Sequence, residues 1–214
     1  MERVRTNRVR IKQGNIFTRH ISEHKGIYAI LIILFVAGFL IGSMNAAFAK
    51  ETVKVESQNY ILEFVESLKT QEIDSRILLK ESIVANTKPV ILIMLFGLVI
   101  IGIPMIFLYI GLYSYSIGFT VTSIISSLGI TRGITFIFTL MIPQQIILLP
   151  TIAIIAVNSI LFSKVMLNMR NINLKIELTK YAFIFLVGII LTIVISLFET
   201  YVGSNLIKFA VQMM

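Results

Sequence analysis

The sequence predicts an all-α, polytopic integral membrane bundle, and three observations predict it. Hydrophobic residues make up 57% of the 214 residues, charged residues only 14%, and mean hydropathy is +0.90. That leaves too little charge to wet the surface of a soluble domain. The apolar residues fall in runs that meet or exceed the roughly 20 residues a helix needs to cross a bilayer core. Basic residues gather beside those runs, as they do on the cytoplasmic side of membrane proteins. Together these features predict about five transmembrane helices with a small external helical segment.

The net charge of +8 therefore reads as orientation bias, and no nucleic-acid partner is expected. Cysteine is absent, which excludes disulfides and Cys-based metal sites. Tryptophan is absent too, so Tyr28, Tyr181 and Tyr201 near run ends are left to form any aromatic belt.

The elements follow in order. Segment 1–26 carries Arg3, Arg5, Arg8, Arg10, Lys12, Arg19 and Lys25 against Glu2 and Glu23. It is expected in the cytoplasm beside anionic lipid. Residues 27–49 form transmembrane helix 1. A basic start, an apolar stretch and Ala47-Phe48-Ala49 imitate a cleavable signal, but both leader and stretch are long for one. Segment 50–88 has nearly balanced charges. Within it Ile61, Phe64, Val65 and Leu68 repeat at helical spacing and make one apolar face. That face is the expected partner-docking surface, its rival being packing onto the protein's own spans. Ile73, Ile77 and Val84 offer a second, weaker face.

From Pro89 to Thr131 no residue is charged. Pro89 suits a first helical turn, and the polar stretch Gly111–Ser116 suits a turn between two spans. Region 89–163 is thus read as three transmembrane segments, about 89–111, 112–130 and 134–163. The rival is a re-entrant 112–130. Lys164, Arg170, Lys175 and Lys180 make 164–180 a basic cytoplasmic loop. Residues 181–203 form transmembrane helix 5, and 204–214 is an interfacial tail. With 1–26 and 164–180 on one side, the number of crossings between them is even. The total is five, and segment 50–88 lies outside.

Four constellations stand out. His20 and His24 share a helix face around Glu23 but are too few to hold a metal. Gly38, Gly42 and Ala46, four residues apart, form a helix-packing face. Pro143, Gln144, Gln145 and Pro150 describe a kinked span whose glutamines turn into the bundle, because lipid-facing amides at depth are expensive. Glu199 lies near the outer end of the last span and is expected to reach toward headgroups. No phosphate loop, nucleophile elbow or catalytic pair of carboxylates is present. The chain is therefore read as non-enzymatic, with no cofactor and no small-molecule substrate.

The stretch Phe17-Thr18-Arg19-His20-Ile21-Ser22-Glu23-His24, running into the first span, resembles the stage II sporulation protein M family of endospore formers. So do Gly118-Phe119-Thr120-Val121, and Pro143-Gln144 with Pro150 seven residues on. The wider family often carries a His and a Glu within this Pro-x6-Pro stretch, where Gln144 and Leu148 stand here. The resemblance implies a non-catalytic membrane anchor acting in engulfment at the septal membrane. It implies partnership with two peptidoglycan-degrading proteins, stage II sporulation proteins D and P. The rival reading is a small transporter or channel subunit, with the Pro143–Pro150 span lining a path.

Overall fold

The computed structural model describes residues 16–70, 75–99, 101–167 and 173–203, all helical apart from short connections. A short helix α1 (Ile16–Glu23) leads into α2 (Lys25–Ala47). Helix α3 (Glu51–Thr70) is followed by α4 (Ser75–Gly97) and α5 (Gly102–Leu128). Then come α6 (Ile130–Phe136), a π-helical turn (Ile137–Met141) and α7 (Ile142–Leu167). Last are α8 (Leu174–Phe198) and a second π-helical turn (Glu199–Gly203). Among the described residues four helical stretches are long and apolar enough to cross a membrane: Lys25–Ala47, Gly102–Leu128, Ile130–Leu167 and Leu174–Tyr201.

Contacts fix the helix directions. Gly38 abuts Gly111 and Ser114, and Gly42 abuts Tyr115 and Phe119, so α2 and α5 run parallel. Asn86 meets Ser196, Thr87 meets Thr192, and Tyr181 donates to the Met94 carbonyl, so α4 and α8 run antiparallel. Gln144 bonds Asn86 and Ser163 bonds the Val99 carbonyl, so α4 and α7 run parallel. Helices α2, α5 and α8 therefore point one way, while α4 and α7 point the other. Helix α4 packs within this alternating bundle but is not among the four, because Arg76, Lys80, Glu81 and Lys88 make it less apolar than the rest.

Several boundaries differ from the sequence reading. The turn expected at Gly111–Ser116 lies instead at 98–101, and 111–116 sits inside α5. The reason is that Ser114 and Ser116 donate back to the Gly111 and Leu112 carbonyls. Their hydroxyls are thus satisfied without leaving the helix. Spans 89–111 and 112–130 are replaced by α4 and α5. Segment 50–88 is not one external unit, because Ser75 onward belongs to α4 and Pro89 lies within that helix. Helix α8 begins at Leu174, inside the expected loop 164–180. Residues 1–15 and the tail 204–214 lie outside the described residues.

Two cores hold the bundle. The larger joins Leu31, Val90, Ile93, Ile106, Ile110, Leu148, Ile152, Ile155, Ala156, Val157, Ile160 and Ile195. The smaller joins Val65 of α3 to Ile124, Phe136 and Ile137. Gly129, at φ 79°, reverses the chain between α5 and α6 in a region L side chains avoid. Gly133 then lets α6 lie against Ile125, where an added Cβ would sit 2.9 Å from its Cα.

Candidate functional site

The inner faces of α4, α7 and α8 meet in a cluster of polar side chains. Ser82 and Asn86 stand one turn apart on α4 and are buried. Asn86 uses its amide nitrogen toward Ser82 Oγ at 3.2 Å, Ser196 Oγ at 3.1 Å and Glu199 Oε2 at 3.0 Å. Its carbonyl accepts from the Gln144 amide. Ser82 donates to the same Glu199 oxygen. One turn deeper Thr87 and Thr192 bond at 3.2 Å. Burying such groups without partners costs about 1–3 kcal/mol each, and this set closes largely on itself. Thr200 is the exception: it is fully buried, and its hydroxyl has no partner among the described residues.

Beside this cluster lies a cavity of about 400 Å³. Gln144, Gln145, Thr139 and Glu199 line it on the polar side, and Ile124, Phe136, Leu140 and Phe198 on the apolar side. Tyr60, Ile61 and Phe64 of α3 complete its wall. Both π-helical turns border it, through Thr139, Leu140 and Met141 and through Glu199 and Gly203. Such turns shift side-chain register within a helix and are frequent at functional sites.

The kinked-span residues are thus placed where hydrogen bonds need them. Gln144 reaches Asn86, and Gln145 faces the Tyr113 hydroxyl at 3.5 Å. Pro143 follows the first π-helical turn, and Pro150 lies inside α7 on its exposed side. Glu199 turns inward to Ser82 and Asn86 instead of outward, which corrects the headgroup expectation. In a low-dielectric setting two donors close by outcompete a distant interface.

The small-residue face of α2 lies against α5. A Cβ added at Gly38 would fall 2.1 Å from Ser114 Oγ, and one at Gly42 would fall 2.0 Å from the Tyr115 carbonyl oxygen. Ala46 on the same stripe is buried. Gly118 of α5 answers it, 2.1 Å from the Phe39 carbonyl oxygen by the same construction. Ser43 donates to the Gly118 carbonyl, and Asn45 donates to the Tyr115 hydroxyl.

The apolar face of α3 packs in part on the bundle, the alternative that the sequence left open. Val65 is 6% exposed and packs into the smaller core with Ile61 beside it. Phe64 is 46% exposed and meets Phe136 edge to face at 6.5 Å. An apolar stripe finds the nearest apolar surface, here the bundle itself. The side chain of Leu68 lies outside the described residues. Ile77 and Val84 of the expected second face are exposed, while Ser82 and Asn86 point inward. That inversion suits a helix facing lipid.

In the family motif, Arg19 and Glu23 pair at 2.8 Å. The hydrogen bond from Arg19 holds the Glu23 carboxyl below its usual range. His20 and His24 stand edge to face at 5.0 Å, and His20 Nδ1 lies 3.2 Å from the Tyr28 hydroxyl. The side chains of Phe17 and Thr18 lie outside the described residues. Among the described residues no group of three His, Asp or Glu side chains gathers to hold a metal.

Sequence reasoning missed Asn86 as the partner of Gln144, and Ser82 and Ser196 as the partners of Asn86. The signal was there: Ser82, Asn86, Val90, Ile93 and Gly97 repeat at three- and four-residue spacing straight through Pro89, as Thr192, Ser196, Glu199 and Thr200 do in the last span.

This bundle matches the model of stage II sporulation protein M over residues 31–204. The chain belongs to the stage II sporulation protein M family. The match begins within α2 and runs to the end of the second π-helical turn, so it takes in every helix that packs into the bundle. It marks the chain as a sporulation-related membrane protein. Searches among curated proteins and among solved structures return no match.

Proposed function

We propose that the protein is a non-catalytic membrane anchor of the engulfment complex. On this reading it recruits peptidoglycan-degrading partners, stage II sporulation proteins D and P, to the septal membrane. The N-terminus and the 164–180 region face the cytoplasm, and α3 lies on the outer face. The observation that carries the reading is the outward side of α3. Val55 and Leu62 stand two turns apart and are exposed, with Glu56 and Glu63 exposed beside them. Val65, one turn on from Leu62 and on the adjoining face, clamps the helix to the bundle while Glu56 and Glu63 point away from it. A fixed helix with a mixed acidic and apolar outer face suits a protein partner better than lipid tails, which would exclude its charges.

The transport reading gains less support. The residues of the larger core, from Val90 to Ile195, contribute none of the cavity lining. A separate cavity of about 250 Å³ touches that core at Leu31, Ile110 and Ile152, and the two cavities share no lining residue. The test is a pull-down from sporulating cells with Val55→Asp and Leu62→Asp combined. Normal accumulation with loss of both peptidoglycan-degrading partners is expected. Normal accumulation with full partner recovery would refute the recruitment reading.

A further inference from the structure

The cavity beneath α3 has a second property that anchoring does not use. Its volume of about 400 Å³ falls within the roughly 300–1,000 Å³ typical of small-ligand sites. Its walls are chemically divided. Ile61, Phe64, Ile124, Phe136, Leu140 and Phe198 form an apolar wall on one side. Gln144, Gln145 and Glu199 gather at the other. An apolar cavity with a few convergent polar groups is the usual form of a small-molecule site.

Among the described residues Glu199 is the sole charged one on that lining. Its hydrogen bonds from Ser82 and Asn86 both fall on Oε2. Its Oε1 has no hydrogen-bond partner among the described residues, and Glu199 is a residue of the cavity wall. An intramembrane carboxylate half-satisfied by neutral donors gains most from a cation. Gln145 lies nearby, and among the described residues its side chain is held by one long 3.5 Å contact through Oε1 to Tyr113. At that distance the bond is weak, so the amide can turn to a ligand.

We infer that this cavity binds one amphipathic molecule headed by a primary ammonium group, with Glu199 as its counter-charge and its alkyl chain against Phe64, Phe136 and Phe198. The ammonium donates to Glu199 Oε1, and the Gln145 amide carbonyl accepts a further N–H. The outer end of the bundle is where such a headgroup meets water. An ammonium on an alkyl chain is offered there by an amine-headed lipid or by a free alkylamine. Neither source depends on partner recruitment, so the inference stands or falls apart from it.

Purified full-length protein in phosphatidylglycerol nanodiscs provides the test. Dodecylamine, dodecanol and dodecanoic acid share one chain and differ in head charge. Binding is read by native mass spectrometry and by the shift in unfolding temperature. Dodecylamine should bind at least about tenfold more tightly than dodecanoic acid, a difference of roughly 1.4 kcal/mol. Glu199→Gln should bring the two within about twofold while dodecanol binding is kept. Thr139→Trp, which fills the cavity from its polar flank, should weaken all three and serves as the check if Glu199→Gln does not fold. Nanodiscs containing phosphatidylethanolamine separate the sources. Competition with dodecylamine identifies the lipid, and its absence identifies a free amine. Equal binding of the three probes, or an unchanged preference in Glu199→Gln, would overturn the proposal. So would the absence of binding to the unaltered protein.

Discussion

Replacing Gly42 by alanine puts a methyl group 2.0 Å from the Tyr115 carbonyl oxygen and 2.8 Å from its carbon. Both are backbone atoms, so no rotamer change relieves the clash. Ordinary contact begins at 3.4 Å, which requires α2 and α5 to part by roughly 1.4 Å locally. A gap of about 0.5–1 Å already forfeits a quarter to a half of each dispersion contact. Membrane helices lack a hydrophobic drive to compensate for that loss. Overpacking costs about 1–3 kcal/mol, and a backbone clash belongs at the upper end. Alanine returns up to about 1 kcal/mol through helix propensity. The net loss is about 2 kcal/mol, roughly 30-fold in the folded-to-unfolded ratio. Gly111 provides the control, because nothing lies within 4 Å of a Cβ added there. Gly111→Ala should be neutral or stabilising by up to about 1 kcal/mol. Equilibrium unfolding in mixed micelles, titrated with dodecyl sulfate, measures both. Two variants within about 0.5 kcal/mol of each other would refute the close-packed interface.

Other outcomes follow from the same contacts. Asn86→Leu leaves the Gln144 amide without its partner and takes one hydrogen bond each from Ser82, Ser196 and Glu199, and should cost about 2–3 kcal/mol by the same unfolding assay. Gln144→Leu with Gln145→Leu removes fewer bonds, averaging about 0.6 kcal/mol each in membranes. It should lower accumulation modestly and leave sporulation intact, and normal accumulation with sporulation abolished would revive the pathway reading. Val65→Asp buries a charge in the smaller core and should empty the membrane of protein, as quantified by immunoblot. For α1, the lowered Glu23 carboxyl makes its ion pair with Arg19 fully stabilising above the ordinary glutamate range of about 4.3. That contribution is lost as pH falls through the lower folded value. Protection of the α1 amides, taken relative to the intrinsic exchange rate at each pH, should therefore fall in acid in the unaltered protein, with Glu23→Gln showing no such pH step.

The long apolar helices were legible because lipid imposes one demand, an uncharged run of fixed length, and α2 and α8 meet it plainly. Gly38, Gly42 and Ala46 were legible because small residues on one stripe have few other uses in such a helix. The α4–α5 boundary was not. Gly111 to Ser116 looks like a turn in one dimension, yet serine hydroxyls inside a helix satisfy themselves on the preceding turn. Helix α4 was split at Pro89 because charges on its outer face masked the inward repeat of Ser82, Asn86, Val90 and Ile93. The direction of Glu199 depended on Asn86, 113 residues away, and only the folded arrangement brings the two together.

The account requires α3 outside the cell and the α7–α8 connection inside, because a recruiting face must meet the wall. The absence of cysteine makes single-cysteine labelling decisive. Glu56→Cys on α3 and Lys175→Cys at the start of α8 are treated in intact cells with a membrane-impermeant maleimide. The account predicts labelling at 56 and, at 175, labelling only after the membrane is permeabilised. Labelling at 175 in intact cells, or protection at 56, would contradict it.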